Sequence, residues 1–505
     1  VAVATTSAIA ADAAREVADA GGNAVDCALA TALMSMNTEP GVCALAGGAY
    51  VTVWAPGHDP VTFDGNHAVP GHGLATAERG TGKVPVRLDY GCGVSTIVGP
   101  GSVAIPGALA AVDQAWRRFG SIPWGELFRP TIDIVRSGFP LPAACRYYLG
   151  YSGDLIFGRS DDGYAALHDD NGLLYDRGSL IHVPHLAESL AAIADGGAAV
   201  FYEGELAEAI SAHVRQGGGA LTRDDLARYQ AIERPALVAD VDDWHIATNP
   251  PPAVGGAVLT AMLLACGDLH AGDWDRHSLD QLIRVQRACL DFRRDRLDVA
   301  DDVPGEAAEL VRAAKRGQLL SQWSSSSTVH TSAVDDSGIG CAITASSGYG
   351  SGEMPDGTGL WLNNGLGEIE LNRRDVDSRT PGERLPSNMA PTVARNDDAV
   401  MAIGSPGADR ITTAIHQVLV NLLQFGMPLA DAIAHPRVHV DTTGDADQLR
   451  AEPGLDMREP DLPLHAFPDI NMYFGGVSVA AYSRGLGFDV AADARREGGV
   501  FLSDA

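Results

Sequence analysis

Thr328 is the residue whose type and position most directly suggest chemistry. It follows a run of serines, 324–327, and opens the segment TVHTSAVD, 328–335. A threonine hydroxyl is a weak nucleophile until a base removes its proton. If the peptide bond before Thr328 were cut, the new α-amine would supply that base, because its reference pKa of about 7.7–8.0 lies near neutral pH. Taken alone, a threonine that opens a strand after a serine-rich loop is more typical of ordinary structure, since threonine favours strands.

The segment that Thr328 opens also resembles the start of the small subunit in the γ-glutamyltranspeptidase family. Further matches to that family occur in the expected order along nearly the whole chain. They are GGNAVD (21–26), LAGGAY (45–50), PGALAAVDQAWRRFGSIPW (106–124), LTRDDLARYQAIERP (221–235), NPPPAVGG (249–256), LNN (362–364), RLPSNMAPT (384–392) and GSPGADRI (404–411). Any one motif would be weak, but chance does not place so many in the same order.

The resemblance implies a fold and a processing step. The implied fold is α/β, a four-layer αββα sandwich of the N-terminal-nucleophile hydrolase type. Autoproteolysis between Ser327 and Thr328 would give a large chain, 1–327, and a small chain, 328–505. The two chains would form one structural unit, a heterodimer made from one precursor, and further dimerisation stays open.

The resemblance also implies a catalytic set around Thr328, which would attack an acyl carbon to form an acyl-enzyme. Ser346 stands where the family has a second threonine whose hydroxyl binds the free amine, and a serine hydroxyl can do the same. Gly407 and Ala408 stand at the Gly-Gly pair of the oxyanion hole, and alanine keeps its N–H if the backbone tolerates a Cβ. His330 is more typical of a structural strand histidine than of a base.

The substrate-binding side departs from the family. There an arginine grips the α-carboxylate of the γ-glutamyl group, and Asn66, in FDGNHAVP (63–70), stands at its position. A charge-assisted hydrogen bond is worth roughly 1.5–3 kcal/mol, so this loss alone lowers γ-glutamyl affinity about ten- to a hundredfold. Arg79, Arg87 or another arginine is an alternative source of the lost charge. The other binding positions carry Gly348 for an asparagine, Gly365 for a glutamine or glutamate, Glu368 for the aspartate that holds the α-amine, the retained Ser387, and Asn388 for a second serine.

The elements that must position these residues are predicted from hydrophobic periodicity. The apolar run 24–36 predicts a buried helix rather than a membrane span, because Asp26 interrupts it. TVHTSAVD, the turn DDSG and IGCAITASS (339–347) predict a β-hairpin. Further predicted elements are strands in LAGGAYVTVW (45–54), GLWLNN (359–364) and AVMAIGSP (399–406), and a helix in TTAIHQVLVNLLQFG (412–426).

The composition limits which binding partners, cofactors and cell compartment are expected. The 505 residues carry a net charge of -29, which argues against nucleic acid and anionic membranes because phosphate repels such a surface. The seven cysteines are scattered and form no CxxC pair, so neither a disulfide framework nor a zinc site is predicted. A reducing, cytoplasmic location is expected, although a start at Val1 leaves a trimmed leader open. No metal or organic cofactor is expected, because nucleophile and base would both belong to the chain.

These observations predict an autoprocessed N-terminal threonine hydrolase that resembles γ-glutamyltranspeptidase but has altered specificity. It would cleave an amide or other acyl bond of a small polar substrate through an acyl-enzyme. Three alternatives stay open. The first is a C–C hydrolase that removes an oxalyl-type group in the biosynthesis of a dihydropyrrole antibiotic precursor. The second is a true γ-glutamyltransferase or glutathione hydrolase, and the third is an unprocessed pseudoenzyme with a binding role.

Overall fold

The computed structural model describes residues 1–89, 93–267, 269, 274–316, 328–442, 446–457 and 460–503. Thr328 lies inside the described residues, whereas Ser327 and the rest of the serine run lie outside them. The described chain mixes helices and strands, as the sequence predicts.

The strands of the described chain are short. They are β1 (Ala2–Thr5), β2 (Gly48–Trp54), β3 (Val61–Gly65), β4 (Val84–Leu88), β5 (Val94–Val98), β6 (Phe139–Pro140), β7 (Leu180–Ile181), β8 (Ile232–Pro235), β9 (Leu237–Val241), β10 (Trp244–Thr248), β11 (Val329–Val334), β12 (Gly340–Ser346), β13 (Thr392–Arg395), β14 (Ala399–Gly404), β15 (Val438–Asp441), β16 (Gln448–Ala451), β17 (Leu464–Ala466), β18 (Ser478–Ser483), β19 (Gly487–Ala492) and β20 (Gly499–Leu502).

The α-helices connect these strands and cover the sheets. They are α1 (Ala8–Asp19), α2 (Ala24–Thr38), α3 (Ala108–Phe119), α4 (Trp124–Ser137), α5 (Ala143–Ser152), α6 (Asp161–Leu167), α7 (Leu186–Gly196), α8 (Ala199–Tyr202), α9 (Glu205–Gln216), α10 (Arg223–Arg228), α11 (Gly255–Cys266), α12 (Arg276–Phe292), α13 (Val303–Arg316), α14 (Arg410–Leu423) and α15 (Leu429–Ala434).

Two antiparallel sheets hold most of the longer strands. Sheet 1 has the order β20-β1-β11-β12-β2-β3-β8, and sheet 2 has the order β19-β18-β14-β13-β10-β9. Sheet 1 combines four strands that precede the serine run with three that follow it, and β11 and β12 lie in its middle. A cut before Thr328 would therefore leave both resulting chains in one sheet.

The apolar clusters show which faces of the sheets are covered. Alternate residues of a strand point to opposite faces, so each strand contributes to two clusters. On one face of sheet 1, Ala2, Val334 and Ala342 pack with Val393 and Ala480 of sheet 2. The opposite face of sheet 1 packs on α1, α2, α3 and α4. Strands β10, β13, β14 and β18 of sheet 2 pack on α11, α14 and α15.

Helix α2 and the β11–β12 hairpin are fastened to each other. α2 begins at a capping box, in which the Asn23 side chain accepts from the N–H of Asp26 and the Asp26 carboxylate accepts from the N–H of Asn23. Every residue of α2 is buried, as the sequence predicts. The Asp335 carboxylate accepts from the N–H of Ile339 at 3.0 Å and from the N–H of Ala24 at 3.1 Å. One carboxylate thus closes the hairpin turn and holds it against the helix.

Most predicted elements are confirmed, and one is wrong. The strands over 45–54 and 399–406, the hairpin and the helix over 412–426 are present as β2, β14, β11–β12 and α14. The predicted strand over GLWLNN is absent, because within it only Leu362 makes an isolated bridge, to Ala46. The Asn363 amide instead donates to the carbonyl of Ala46 at 2.9 Å, and such side-chain bonds compete with a strand ladder.

The six described cysteines are buried and unpaired, in line with the expectation that they are small core residues. Among the described residues, no helix is both long enough and apolar enough to cross a bilayer.

Candidate active site

The hairpin register places Thr328 beside Ser346. Val329 pairs with Ala345 in the antiparallel ladder, so the next pair outward is Thr328 opposite Ser346. Thr328 is 2 % exposed, and the Ser346 hydroxyl accepts from the N–H of Gly348 at 3.1 Å. An accepting Ser346 Oγ keeps its own hydrogen to donate. The two hydroxyls that the sequence assigns to nucleophile and helper therefore lie at the same end of β11 and β12.

A small pocket brings most of the predicted site residues together. It lies at the end of β11 and β12, where the loops that carry the predicted binding residues meet. Six of the ten positions that the sequence assigns to catalysis or binding line it, and Gly348, Gly365, Gly407 and Ala408 do not. The lining residues are Asn66, His67, Thr328, Ser346, Glu368, Leu371, Pro386, Ser387, Asn388 and Met389.

Gly407 and Ala408 form the turn before α14. Both have positive φ, +121° and +67°, and Ala408 therefore adopts a backbone conformation that favours glycine. Their carbonyls accept the first bonds of the helix turn, whereas neither N–H has an acceptor among the described residues. Asp409 follows directly and accepts from the Nδ2 of Asn388, which lines the pocket. Asp409 thus links this turn to a residue of the pocket wall.

His330 is satisfied by its neighbours on the strands. Its Nδ1 lies 2.8 Å from the Thr344 hydroxyl, and its Nε2 lies 2.8 Å from the Ser332 hydroxyl. Burial lowers the pKa of His330 to about 3, so the ring is neutral at pH 7. A Cβ at Gly404 of sheet 2 would lie 2.2 Å from the ring. His330 therefore fills the space between the sheets, which agrees with the structural role expected from the sequence.

Asn66 lines the pocket, but its amide has a structural partner. Its Nδ2 donates to the carbonyl of Leu385 at 2.8 Å, and its backbone carbonyl accepts from the Tyr229 hydroxyl at 2.5 Å. The N–H of Leu385 in turn donates to the carbonyl of His67. Asn66 thus holds together the two loops that form one wall, and much of its hydrogen-bonding capacity is used.

His67, the next residue, was not singled out from the sequence. It is 3 % exposed and lines the pocket, and its Nε2 has no hydrogen-bond partner within the described chain. Burial lowers the pKa of His67 to about 4, so the imidazole is neutral at pH 7. Its position beside Asn66 in FDGNHAVP is the only signal in the sequence that could have pointed to it.

Asn388 is oriented by a buried ion-pair network. Its Nδ2 donates to Asp409 Oδ1 at 2.9 Å, and the same oxygen accepts from Arg293 at 2.9 Å. Arg293 also donates to Asp298 at 3.1 Å. The Asn388 side chain therefore presents its amide hydrogen to Asp409, whereas its Oδ1 is buried and has no partner among the described residues.

Gly348 and Glu368, two positions that the sequence assigns to the binding side, lie against each other. Gly348 has φ of +65°, and a Cβ there would lie 3.0 Å from the Glu368 carboxyl carbon and 2.3 Å from Asn364 Oδ1. The lack of a side chain at position 348 therefore leaves room for the Glu368 side chain. Removal from water, with Glu368 nearby, raises the pKa of Glu370 to about 8, so Glu370, which does not line the pocket, is mostly protonated at pH 7.

Cationic side chains do not line this pocket. None of the described lining residues is an arginine or a lysine. Arg79 donates to the carbonyl of Leu74, and neither Arg79 nor Arg87 is among the lining residues. The proposed replacement of the lost arginine by either of them is therefore not seen. No group of three or more histidine, cysteine, aspartate or glutamate residues in the described chain is arranged to hold a metal ion.

Solved structures and curated sequences define the class of protein. The fold is shared over 100 % of this chain and 96 % of the other with cephalosporin acylase from Bacillus halodurans, at a TM-score of 0.82 and 22 % identity. The family described as Gamma-glutamyltranspeptidase matches residues 10–503. The chain therefore belongs to the γ-glutamyltranspeptidase family and is an enzyme of the hydrolase or acyltransferase type.

Two curated relatives show the range of names within the family. The glutathione hydrolase proenzyme of Pseudomonas aeruginosa is 28 % identical over 462 residues, which are 84 % of this chain and 80 % of the relative. The acylase ACY 1 proenzyme of Pseudomonas sp. (strain SE83) is also 28 % identical, over 464 residues that cover 86 % of this chain and 82 % of the relative.

Proposed function

We propose that this enzyme is an autoprocessed threonine hydrolase with a four-layer αββα fold of the N-terminal-nucleophile type. Cleavage before Thr328 consumes one water and separates the chains 1–327 and 328–505, which stay together as a heterodimer. The proenzyme names of the relatives and the mixture of strands in sheet 1 support this arrangement.

The proposed reaction uses the two ends of Thr328. Its α-amine takes the hydroxyl proton as Oγ bonds to the carbonyl carbon of an amide, and the same amine returns that proton to the leaving nitrogen as the C–N bond breaks. Water then attacks the resulting ester, which releases a carboxylic acid and restores the hydroxyl. Ser346 would bind the amine, and the N–H groups of Gly407 and Ala408 would stabilise the oxyanion.

The observation that carries the proposal is the meeting of residues from distant parts of the chain in one pocket. Asn66, Thr328, Ser346, Glu368 and Asn388 are far apart in sequence yet line the same small space. The absence of an arginine or lysine from the described lining supports a specificity other than γ-glutamyl. We therefore propose a small polar acyl compound as the substrate.

A denaturing gel with N-terminal sequencing tests the processing step. Wild type should give two bands, with the smaller beginning at Thr328, and Thr328→Ala should give one band and lose about a thousandfold or more in hydrolysis. Thr331→Ala is the matched control, because its hydroxyl pairs with that of Thr5 on the other face of β11 and cleavage should persist.

Two results would contradict the proposal in different ways. A single uncleaved wild-type band, with no change in Thr328→Ala, would favour a binding protein instead. Turnover of γ-glutamyl-p-nitroanilide with a kcat/KM of about 10⁴ M⁻¹s⁻¹ or more, within the usual range for enzymes, would refute the altered specificity.

A further inference from the structure

The walls of the pocket differ in what they can offer to a ligand. Asn66 and Ser387 already take part in bonds within the wall, since the Ser387 hydroxyl accepts from the N–H of Met389 at 3.2 Å. Asn388 Oδ1 and His67 Nε2 are buried polar atoms with no partner in the described chain. A buried polar atom left unsatisfied costs about 1–3 kcal/mol, so a ligand that bonds to it recovers that free energy.

The free atom of Asn388 is an acceptor, because the amide cannot turn without losing its bond. Rotating the amide would place the carbonyl oxygen against the Asp409 carboxylate and remove the 2.9 Å bond to it. Arg293 holds Asp409 from the other side, and all three side chains are buried. The network thus keeps Asn388 Oδ1 as a hydrogen-bond acceptor that an N–H or O–H donor of a ligand can satisfy.

The electrostatic surroundings act against an anion at the same place. Glu368 lines the pocket and Asp409 lies directly behind Asn388. The charge of Arg293 is shared between Asp298 and Asp409, and it does not reach the lining. Because His67 is neutral at pH 7, it does not replace the missing arginine as a partner for a carboxylate.

We propose that the acyl group accepted by this enzyme ends in a nitrogen donor, an ammonium or a carboxamide, held by Asn388 Oδ1 with His67 beside it, and that it carries no carboxylate there. Asn388 and His67 are then the residues that determine specificity, and Arg293 and Asp409 are positioning residues for Asn388. This inference rests on the proposed threonine hydrolase activity at the same site.

Two pairs of matched p-nitroanilides test the inference. β-Alanyl and butanoyl differ only by ammonium against methyl, and succinamoyl and succinyl differ only by carboxamide against carboxylate. We expect kcat/KM to favour β-alanyl over butanoyl, and succinamoyl over succinyl, each by about tenfold or more, since a hydrogen bond to a charged or buried group has that size. Equal rates within a pair, or a preference for succinyl, would overturn the inference.

Variants identify the residues that cause the preference. Asn388→Leu removes the acceptor at similar volume, and both ratios should fall below about threefold. His67→Phe keeps an aromatic ring at this position but removes the ring nitrogens, and it should reduce both kcat/KM ratios to a smaller extent. The controls are Asn171→Leu and His245→Phe, which change exposed residues outside the pocket and should leave both ratios as in wild type.

A binding measurement separates this inference from the proposed hydrolysis. Titration calorimetry with β-alaninamide and butanamide, on the same wild-type preparation, reports the head-group preference without requiring turnover. No turnover of any anilide, combined with tighter binding of β-alaninamide, would refute the hydrolase and support the pocket chemistry. Turnover without a donor preference would refute the pocket chemistry alone, and equal binding without turnover would refute both.

Discussion

The strand side and the loop side of the pocket are built by different means. Thr328 and Ser346 lie on the strand side, and the hairpin register alone brings them together. His67, Glu368 and Asn388 lie on the loop side, on three separate segments. The bond from Asn66 to the carbonyl of Leu385 joins the segments of His67 and Asn388. The departures from the family that the sequence predicts lie mainly on the loop side, whereas the strand side carries one of them, the serine at 346. The comparison teaches that the register of one hairpin can fix the proposed reaction centre, whereas the proposed change of specificity depends on the loops.

The largest expected effect tests the support of the loop side. Arg293→Met would leave Asp298 and Asp409 as buried carboxylates without their shared cation, and we expect a loss of about 3–5 kcal/mol in the free energy of unfolding. Arg312→Met removes an exposed arginine paired with Glu309 and should change stability by less than about 1 kcal/mol. Urea unfolding of both variants measures the difference. Equal, small losses would show that the network does not support the loops.

The second prediction uses the pH dependence of stability to test the burial of His67 on the loop side. The folded-state pKa of His67, about 4, lies below the ordinary value of 6.5, so the unfolded chain binds the proton first. Stability from neutral His67 is therefore complete above about pH 6.5 and is lost as the pH falls towards 4. His67→Phe lacks this loss. The free energy of unfolding of wild type relative to the variant should fall by on the order of 3 kcal/mol between about pH 7 and pH 4. A pH-independent difference would mean that the ring is hydrated.

The third prediction addresses the strand side. Ser346→Ala removes the hydroxyl that we propose binds the α-amine, and kcat should fall about fivefold, because one hydrogen bond is worth about 1 kcal/mol. Ser346→Thr restores a hydroxyl at the same place and should recover most of the rate. Single-turnover kinetics measures both variants. A rate close to that of wild type in both Ser346→Ala and Ser346→Thr would contradict the proposed role of the hydroxyl.

The smallest expected effect concerns the turn before α14. Ala408 has φ of +67°, which costs an alanine roughly 1–2 kcal/mol, while glycine in the unfolded chain costs about 0.4–1 kcal/mol in entropy. Ala408→Gly should therefore raise the free energy of unfolding by about 0.5 kcal/mol. The backbone N–H persists, so kcat should change little. A large drop in kcat would show that the alanine methyl group, and not only the amide, shapes the oxyanion site.

The strand side of the site could be predicted from the sequence, because strand alternation and a turn with fixed length determine the register. TVHTSAVD and IGCAITASS, with DDSG between them, are enough to place Thr328 opposite Ser346. The helix over 24–36 could be predicted equally well, since its apolar run and its cap are local features of the sequence. Local pattern fixes local geometry, and these elements needed nothing more.

For the loop side, the sequence could predict only which residues belong to the pocket. The motif positions of Asn66, Glu368 and Asn388 indicated that they meet, but not which of their atoms remain available. The Asn66 amide donates to the carbonyl of Leu385. Polar atoms without a partner in the described chain belong to Asn388 and to His67, and the sequence analysis did not single out His67. Which hydrogen bonds form between loops depends on contacts between residues far apart in sequence, such as Asn66 and Leu385, and no periodicity encodes them. The false strand at GLWLNN has the same origin, because its asparagines bond to distant backbone groups.

If the proposed cut occurs, the mixture of strands in sheet 1 affects how the cut enzyme loses its activity irreversibly. Before the cut, β1, β2, β11 and β12 belong to one chain, and their pairing is a unimolecular event. After the cut, the same pairing requires two chains to find each other, so recovery from denaturation would become concentration-dependent and compete with aggregation. A processed preparation should therefore refold poorly on dilution, whereas Thr328→Ala should refold with a yield independent of concentration. Activation by cleavage would then make the enzyme kinetically, rather than reversibly, stable.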